Sequence, residues 1–213
     1  MTPDLIEAAA NRDALSIFGT LPTTPEDSLV PGTILLLGPH EPGFWAHVTA
    51  APEFADNKPD PLDRWSRRVI TALAQTAGGT PLFPFGQPTR PFIGWALRSG
   101  RAWSSPVGLL VHDRAGLMVS YRGAILLPGA RVQSAAQRSP CEPCETKPCL
   151  TECPVGALTS DGYDIPGCHE YLDSAAGEIC MTQGCAVRVG CPVSQSYQRL
   201  AQQSAFHMRQ FHP

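Results

Sequence analysis

The sequence predicts an α+β protein in two parts, and three observations carry that expectation. Helical and strand-like patterns mix through the first 130 residues, which contain no cysteine. All eight cysteines crowd between Cys141 and Cys191. The stretch between, residues 130–140, is small, polar and poor in core-forming side chains, as a connection between compact units should be. The expected division is therefore an α/β scaffold domain over 1–130 and a small cysteine-rich domain over 131–213 that ends in a helix.

Each element has a local reason. Thr2-Pro3-Asp4 reads as the cap and first turn of a helix to about Ala14. Residues 33–37, TILLL, are a short apolar run that suits a buried strand, and Gly38-Pro39 ends it. Asp60-Pro61 opens the clearest helix, in which Leu62, Trp65, Val69, Ile70 and Leu73 recur at helical spacing until Gly78-Gly79. Four prolines and Gly86 between Pro81 and Pro91 predict an ordered loop or extended segment, anchored by Phe83, Phe85 and Phe92. A helix over 91–99 then stops at Gly100. Residues 108–112 and 117–127 read as the two strands of a hairpin joined through Asp113-Arg114-Ala115-Gly116. Tyr197, Leu200, Ala201, Met208 and Phe211 predict a terminal helix over 194–211 that packs back on the rest.

Composition narrows the function classes. A hydrophobic fraction of 43% in 213 residues is enough to bury a core, and a net charge of −3 leaves no basic footprint for nucleic acid. Asp4, Glu7, Arg12 and Asp13 interrupt the first 18 residues, so no secretory signal is expected there. No window reaches the ~20 apolar residues of a membrane span. The expectation is a cytoplasmic protein without a membrane or nucleic-acid partner. Thiols stay reduced in that compartment, so clustered cysteines point to metal or redox chemistry before disulfides.

The cysteine spacing is the most specific signal. Cys141-x2-Cys144-x4-Cys149-x3-Cys153-Pro154, read as CEPCETKPCLTECP, matches the C-x2-C-x2-C-x3-C-P run of bacterial ferredoxins apart from a longer middle gap. In two-cluster ferredoxins the fourth cysteine of such a run ligates the other cluster. A looser group follows, Cys168, Cys180, Cys185 and Cys191-Pro192. The same crossover assigns Cys141, Cys144, Cys149 and Cys191 to one [4Fe–4S] cluster, and Cys153, Cys168, Cys180 and Cys185 to a second. Structural zinc is the alternative, but it usually pairs two C-x2-C knuckles, whereas one is present here and both groups end in Cys-Pro.

From about Trp95 onward the chain resembles epoxyqueuosine reductases. The matching stretches are WALRSGRAW over 95–103, VGLLVHDRAGLMVSYRGAILLP over 107–128, the first cysteine group with Gly156-Ala157-Leu158, and Gly167-Cys168-His169-Glu170-Tyr171-Leu172. The resemblance implies a nitroreductase-like, cobalamin-domain-like mixed α/β N-terminal domain followed by a dicluster ferredoxin-like domain. It further implies a cofactor pocket where residues 84–91 meet Trp103, with Phe83, Phe85 and Trp103 as walls for a cobalamin or a flavin, against the plainer reading of Trp103 as a partly buried structural side chain. Three departures stand against the family's own reaction. Gly86 occupies the place of the aspartate thought to donate a proton, Ser104-Ser105 replaces a Gly-Lys pair, and the second cysteine group is spaced x4 and x5 instead of x2 and x3.

Two functions follow as expectations. One is an iron–sulfur electron-transfer protein that works between a reductant and a redox partner protein. The other is a reductase in which the clusters feed a corrinoid or a flavin in the N-terminal domain, without epoxyqueuosine reduction. Other residues have plainer readings. Asp60, Asp63, Arg64, Arg67 and Arg68 surround Trp65 on one helix and fit a solvated face with local ion pairs better than an anion grip. His169 follows a candidate ligand and would tune a cluster if its ring N–H reached a sulfur, against the plainer reading of an exposed helix position.

Overall fold

In the computed structural model, which describes residues 2–129 and 132–213, the run TILLL becomes the middle of a strand buried at every position. In chain order the first elements are α1 (Pro3–Arg12), β1 (Leu15–Pro22), β2 (Gly32–Pro39), α2 (Phe44–Thr49), α3 (Pro52–Ala55), α4 (Pro61–Ala77), β3 (Thr80–Leu82) and α5 (Phe92–Arg98). There follow β4 (Ala102–Ser104), β5 (Leu110–His112), β6 (Gly123–Pro128), β7 (Leu158–Thr159) and β8 (Gly162–Tyr163). The helices α6 (Ile165–Leu172), α7 (Glu178–Gln183), α8 (Ala186–Gly190), α9 (Pro192–Tyr197) and α10 (Ala201–Phe211) complete the chain. Among the described residues every strand pairing is antiparallel, and the class is α+β. Among the described residues no helix is long and apolar enough to cross a membrane.

The chain divides into two compact units that interleave in sequence. One takes residues Met1–Arg101 with Ser120–Gln137, the other Ala102–Val119 with Arg138–Pro213. The single cut expected between residues 130 and 131 falls outside the described residues. Beyond it, the amide of Val132 donates to Thr33 Oγ1 at 2.9 Å and the amide of Gln137 to the Gly100 carbonyl at 3.2 Å, so this segment is laid along the first unit.

The first unit is a four-stranded sheet in the order β1-β2-β6-β3. Ile34, Leu35, Leu36 and Leu37 are fully buried on β2, and α4 covers β6 and β3 with Trp65, Val69, Ile70 and Ala74. The helix stops where Gly78 turns left-handed at φ 71°, a conformation open to glycine without Cβ strain. α1 begins at Pro3, but Thr2 caps it without a side-chain hydrogen bond. β1 has no forerunner in the sequence reading, because LSIFGTLP is buried on both faces and shows no alternation.

A buried carboxylate ties this unit together. Asp27 accepts Trp95 Nε1 at 2.7 Å, the Arg98 guanidinium at 2.8 and 3.0 Å, and the Thr24 amide at 2.7 Å. Burial by itself pushes this carboxyl up, but the hydrogen bonds from Arg98, Thr24 and Trp95 outweigh it and bring the pKa down to about 2.

The second unit departs from the hairpin expected over 108–127. β5 pairs with β4, through Trp103 opposite Val111, while β6 pairs with β2 and β3 in the other unit's sheet. The turn residues do act locally, since His112 and Gly116 bridge. What separates the two strands is burial: Val107, Val111 and Leu117 join Cys149, Leu158, Val187 and Cys191 in one core. Gly116 is required there, for its φ is 54° and a Cβ would lie 2.4 Å from the Ser194 amide nitrogen. The predicted terminal helix is two, α9 and α10, parted at Gln198, whose φ is 60°. α10 packs on α7 around Leu172, Cys180 and Met208, with Phe211 against them.

Asp27 offers a test of the first unit. Because its folded pKa lies below the ordinary 3.8, its stabilisation is complete above that value and fades as pH falls toward 2. Asp27→Asn should cost about 2 kcal/mol at pH 7, measured by urea unfolding followed through tryptophan fluorescence. The gap from wild type should narrow as pH drops from 4 toward 2.

Candidate metal centre

All eight cysteines are free thiols in the second unit, six of them in loops, turns or helix caps and two, Cys168 and Cys180, inside short helices. Cys141 follows Pro140, and its amide donates to Ser139 Oγ at 3.3 Å. Cys149 lies in a single helical turn over Pro148–Leu150, entered through Lys147 in the left-handed region at φ 41°. Cys185 precedes α8 and Cys191 precedes α9, where Pro192 opens the helix at a position that needs no amide. Cys168 lies in α6, whose N-cap Asp164 accepts from the Gly167 amide at 3.1 Å. Cys180 lies in α7 and is buried.

The structure brings these thiols together in two sets of four. Burial pushes the Cys149 thiol up, and its cysteine neighbours Cys141, Cys191 and Cys144 push it further. Cys141 is raised by burial, eased by its hydrogen bond with Ser139, and raised again by Cys191 and Cys144. In the second set, burial raises Cys168 and Cys180, and the neighbouring thiols that add to it are Cys153 and Cys185, with Cys168 also acting on Cys180. Two bonds temper these shifts, one from Tyr163 to Cys168 and one from the Ala186 amide to Cys180. The first set is thus Cys141, Cys144, Cys149 and Cys191. The second is Cys153, Cys168, Cys180 and Cys185.

The four thiols of the first set line one cavity of about 410 Å³, walled by Val111, Leu117 and the prolines 140, 143, 148 and 192. Ser105 also lines it, and its hydroxyl is buried with no hydrogen-bond partner. An orphaned donor in a thiol-lined cavity is what a sulfur-rich guest would satisfy. In the second set, Cys153 Sγ accepts the Ala157 amide at 3.2 Å and Cys168 Sγ accepts the Tyr163 hydroxyl at 3.4 Å. Among the described residues, no three His, Cys, Asp or Glu side chains stand close enough to hold a single metal ion. Four thiols around one cavity, as in the first set, are a soft donor set of the kind that iron–sulfur clusters and zinc both take.

The other candidate residues have neighbours of their own. Trp103 is half-buried on β4 and packs against the core that holds Cys149 and Cys191. Phe85 is half-buried in the first unit beside Phe83, and the Arg67 guanidinium lies over both rings at 5.3 and 4.9 Å. The pair therefore belongs to two different units. Gly86 has a positive φ of 78° and no side chain to donate a proton. On α4, Arg64 pairs with Asp56 at 2.8 Å, Arg68 with Glu53 at 2.5 Å and Asp63 with Arg122 at 3.5 Å, so three of the five charges around Trp65 are held in ion pairs.

His169 is half-buried, not exposed, with its ring against Phe211 and His212 and its Nε2 buried without a hydrogen-bond partner. Tyr163, Ser105 and Arg188 are the contributors that the sequence reading missed. Arg188 alone carried a signal, a cation three residues after a candidate ligand. No protein-family model matches the chain, and no curated protein matches it.

The crossed arrangement makes a direct prediction. With a metal group on each set, Cys191→Ser should disturb the one on Cys141, Cys144 and Cys149, and Cys153→Ser the other. Electron paramagnetic resonance of the reduced protein checks it: the two variants should lose different signals, and loss of the same signal would show that Cys153 and Cys191 share a set.

Proposed function

We propose that this chain is an iron–sulfur electron-transfer protein carrying two [4Fe–4S] clusters, one on each set of four thiols. The observation that carries the reading is the grouping of eight free cysteines into two quartets, one around a cavity of about 410 Å³ with an unsatisfied hydroxyl in its wall. When bound, such clusters supply one-electron couples whose potential follows burial and hydrogen bonding at sulfur.

The chain's own part is to hold and shield them. Cys141, Cys144 and Cys149 come from one short stretch and Cys191 from the start of α9, so the first cluster would be gripped from two sides. Val111, Leu117 and Val193 would keep water from it. Cys153, Cys168, Cys180 and Cys185 would do the same for the second, backed by Leu172, Met208 and Phe211. A donor amide at Cys153 and a donor hydroxyl at Cys168 would favour the more electron-rich state.

The second unit is read as a dicluster ferredoxin-like domain, and the first as a nitroreductase-like scaffold. Phe85 and Trp103, on which a corrinoid or flavin would depend, are each accounted for by neighbours in their own unit, so electron transfer between a reductant and a redox partner protein is the reading carried forward. A reducing, cytoplasmic setting belongs to it.

Protein purified without oxygen should be brown and contain about eight iron and eight sulfide per chain. Elemental and sulfide analysis decides it, and colourless protein with stoichiometric zinc would overturn the proposal.

A further inference from the structure

A phenol and a guanidinium stand near the second set of thiols, where the described residues near the first offer aliphatic hydroxyls and an exposed lysine. The Tyr163 hydroxyl donates to Cys168 Sγ at 3.4 Å, and the Tyr163 ring stacks on Phe211 of α10 with an interplanar angle of 15°. That stacking holds the hydroxyl on the sulfur. Arg188, one turn beyond Cys185 on α8, donates from its guanidinium to the Leu117 carbonyl. Burial lowers its pKa, and Cys185 and Tyr163 beside it act in the opposite direction. An arginine remains cationic under any such shift of ordinary size. The first set has neutral hydroxyls, Ser139 and Ser105, and the cation bearing on Cys141 is Lys147, which is exposed and so screened by water.

Both features favour added negative charge. A hydrogen bond to a ligand sulfur, and a fixed cation in a poorly solvated place, each stabilise the reduced state of a cluster over the oxidised one. We propose that Tyr163 and Arg188 act as positioning residues that hold the cluster on Cys153, Cys168, Cys180 and Cys185 at a more positive reduction potential than the cluster on the other four cysteines. This rests on the iron–sulfur reading above. The two sites are then unequal by design of the polypeptide around them, and an electron given to the protein settles on the second.

Potentiometric titration of the anaerobic protein, followed by electron paramagnetic resonance, tests the assignment. Wild type should show two one-electron waves. Tyr163→Phe should shift the more positive wave toward negative potential and leave the other in place. The expected size is roughly a three- to tenfold change in the reduced-to-oxidised ratio at fixed potential, tenfold corresponding to 59 mV for one electron. Arg188→Gln should move the same wave the same way, and Arg188→Lys, which keeps the charge, should restore most of the shift. Should Arg188→Gln not fold, Tyr163→Phe, which loses one hydroxyl at a half-exposed site, still decides. Full iron content with both waves unmoved, or with only the more negative wave moved, overturns this proposal alone. A wild-type chain that assembles no iron–sulfur group overturns it together with the cluster reading.

Discussion

Cys153 and Cys191 stand with each other's neighbours, and the second unit is organised by that exchange. Cys153 follows the three cysteines of its own stretch but lies with Cys168, Cys180 and Cys185, while Cys191 closes the later stretch and lies with Cys141, Cys144 and Cys149. Each set therefore draws on two separated pieces of chain. Whatever binds one set fastens residues 141–149 to the start of α9, and whatever binds the other fastens Cys153 to α6, α7 and the start of α8. With two such ties in place, short helices and two-residue strands that could not persist alone have a fixed geometry.

The thiols are also the core. Cys149 and Cys191 are buried among Val107, Val111, Leu117 and Val187, and Cys180 lies among Leu172 and Met208. The candidate centre is not a groove cut into a finished hydrophobic interior, for the apolar residues form thin shells around the sulfurs. In a unit built this way, the fold and the binding of any group by these thiols share one free energy. The first unit contrasts with this. Its sheet is filled by Ile34, Leu35, Leu36 and Leu37, its helix α4 by Trp65 and Ile70, and its buried carboxylate Asp27 has every partner supplied by the polypeptide.

Legibility in the sequence followed the physics of each signal. Helix α4 could be read because periodicity and a terminating Gly78 are local features, and β2 because TILLL is apolar throughout. The turn at 113–116 was equally local and is real, yet the partners of β5 and β6 were set by burial in separate cores, which no nearby residue records. β1 lacked alternation because both its faces are covered. At the centre, the cysteines announced themselves because thiolates are scarce and their chemistry constrains spacing. Tyr163 and Ser105 did not, since a hydroxyl that meets a sulfur across a fold is indistinguishable in sequence from one that meets water.

The interleaving of the two units bears on how the chain is made. β6 is the strand between β2 and β3, and among the described residues β3 has no strand partner other than β6. During synthesis the first sheet thus stays open along β2 until residues 123–128 leave the ribosome, after the 102–119 segment of the second unit has already emerged. That segment in turn exposes Val107, Val111 and Leu117 until Cys149, Leu158, Val187 and Cys191 arrive to cover them. The nascent chain carries two unfinished apolar surfaces at once, and the second set of thiols is complete at residue 185, before Cys191 arrives to complete the first.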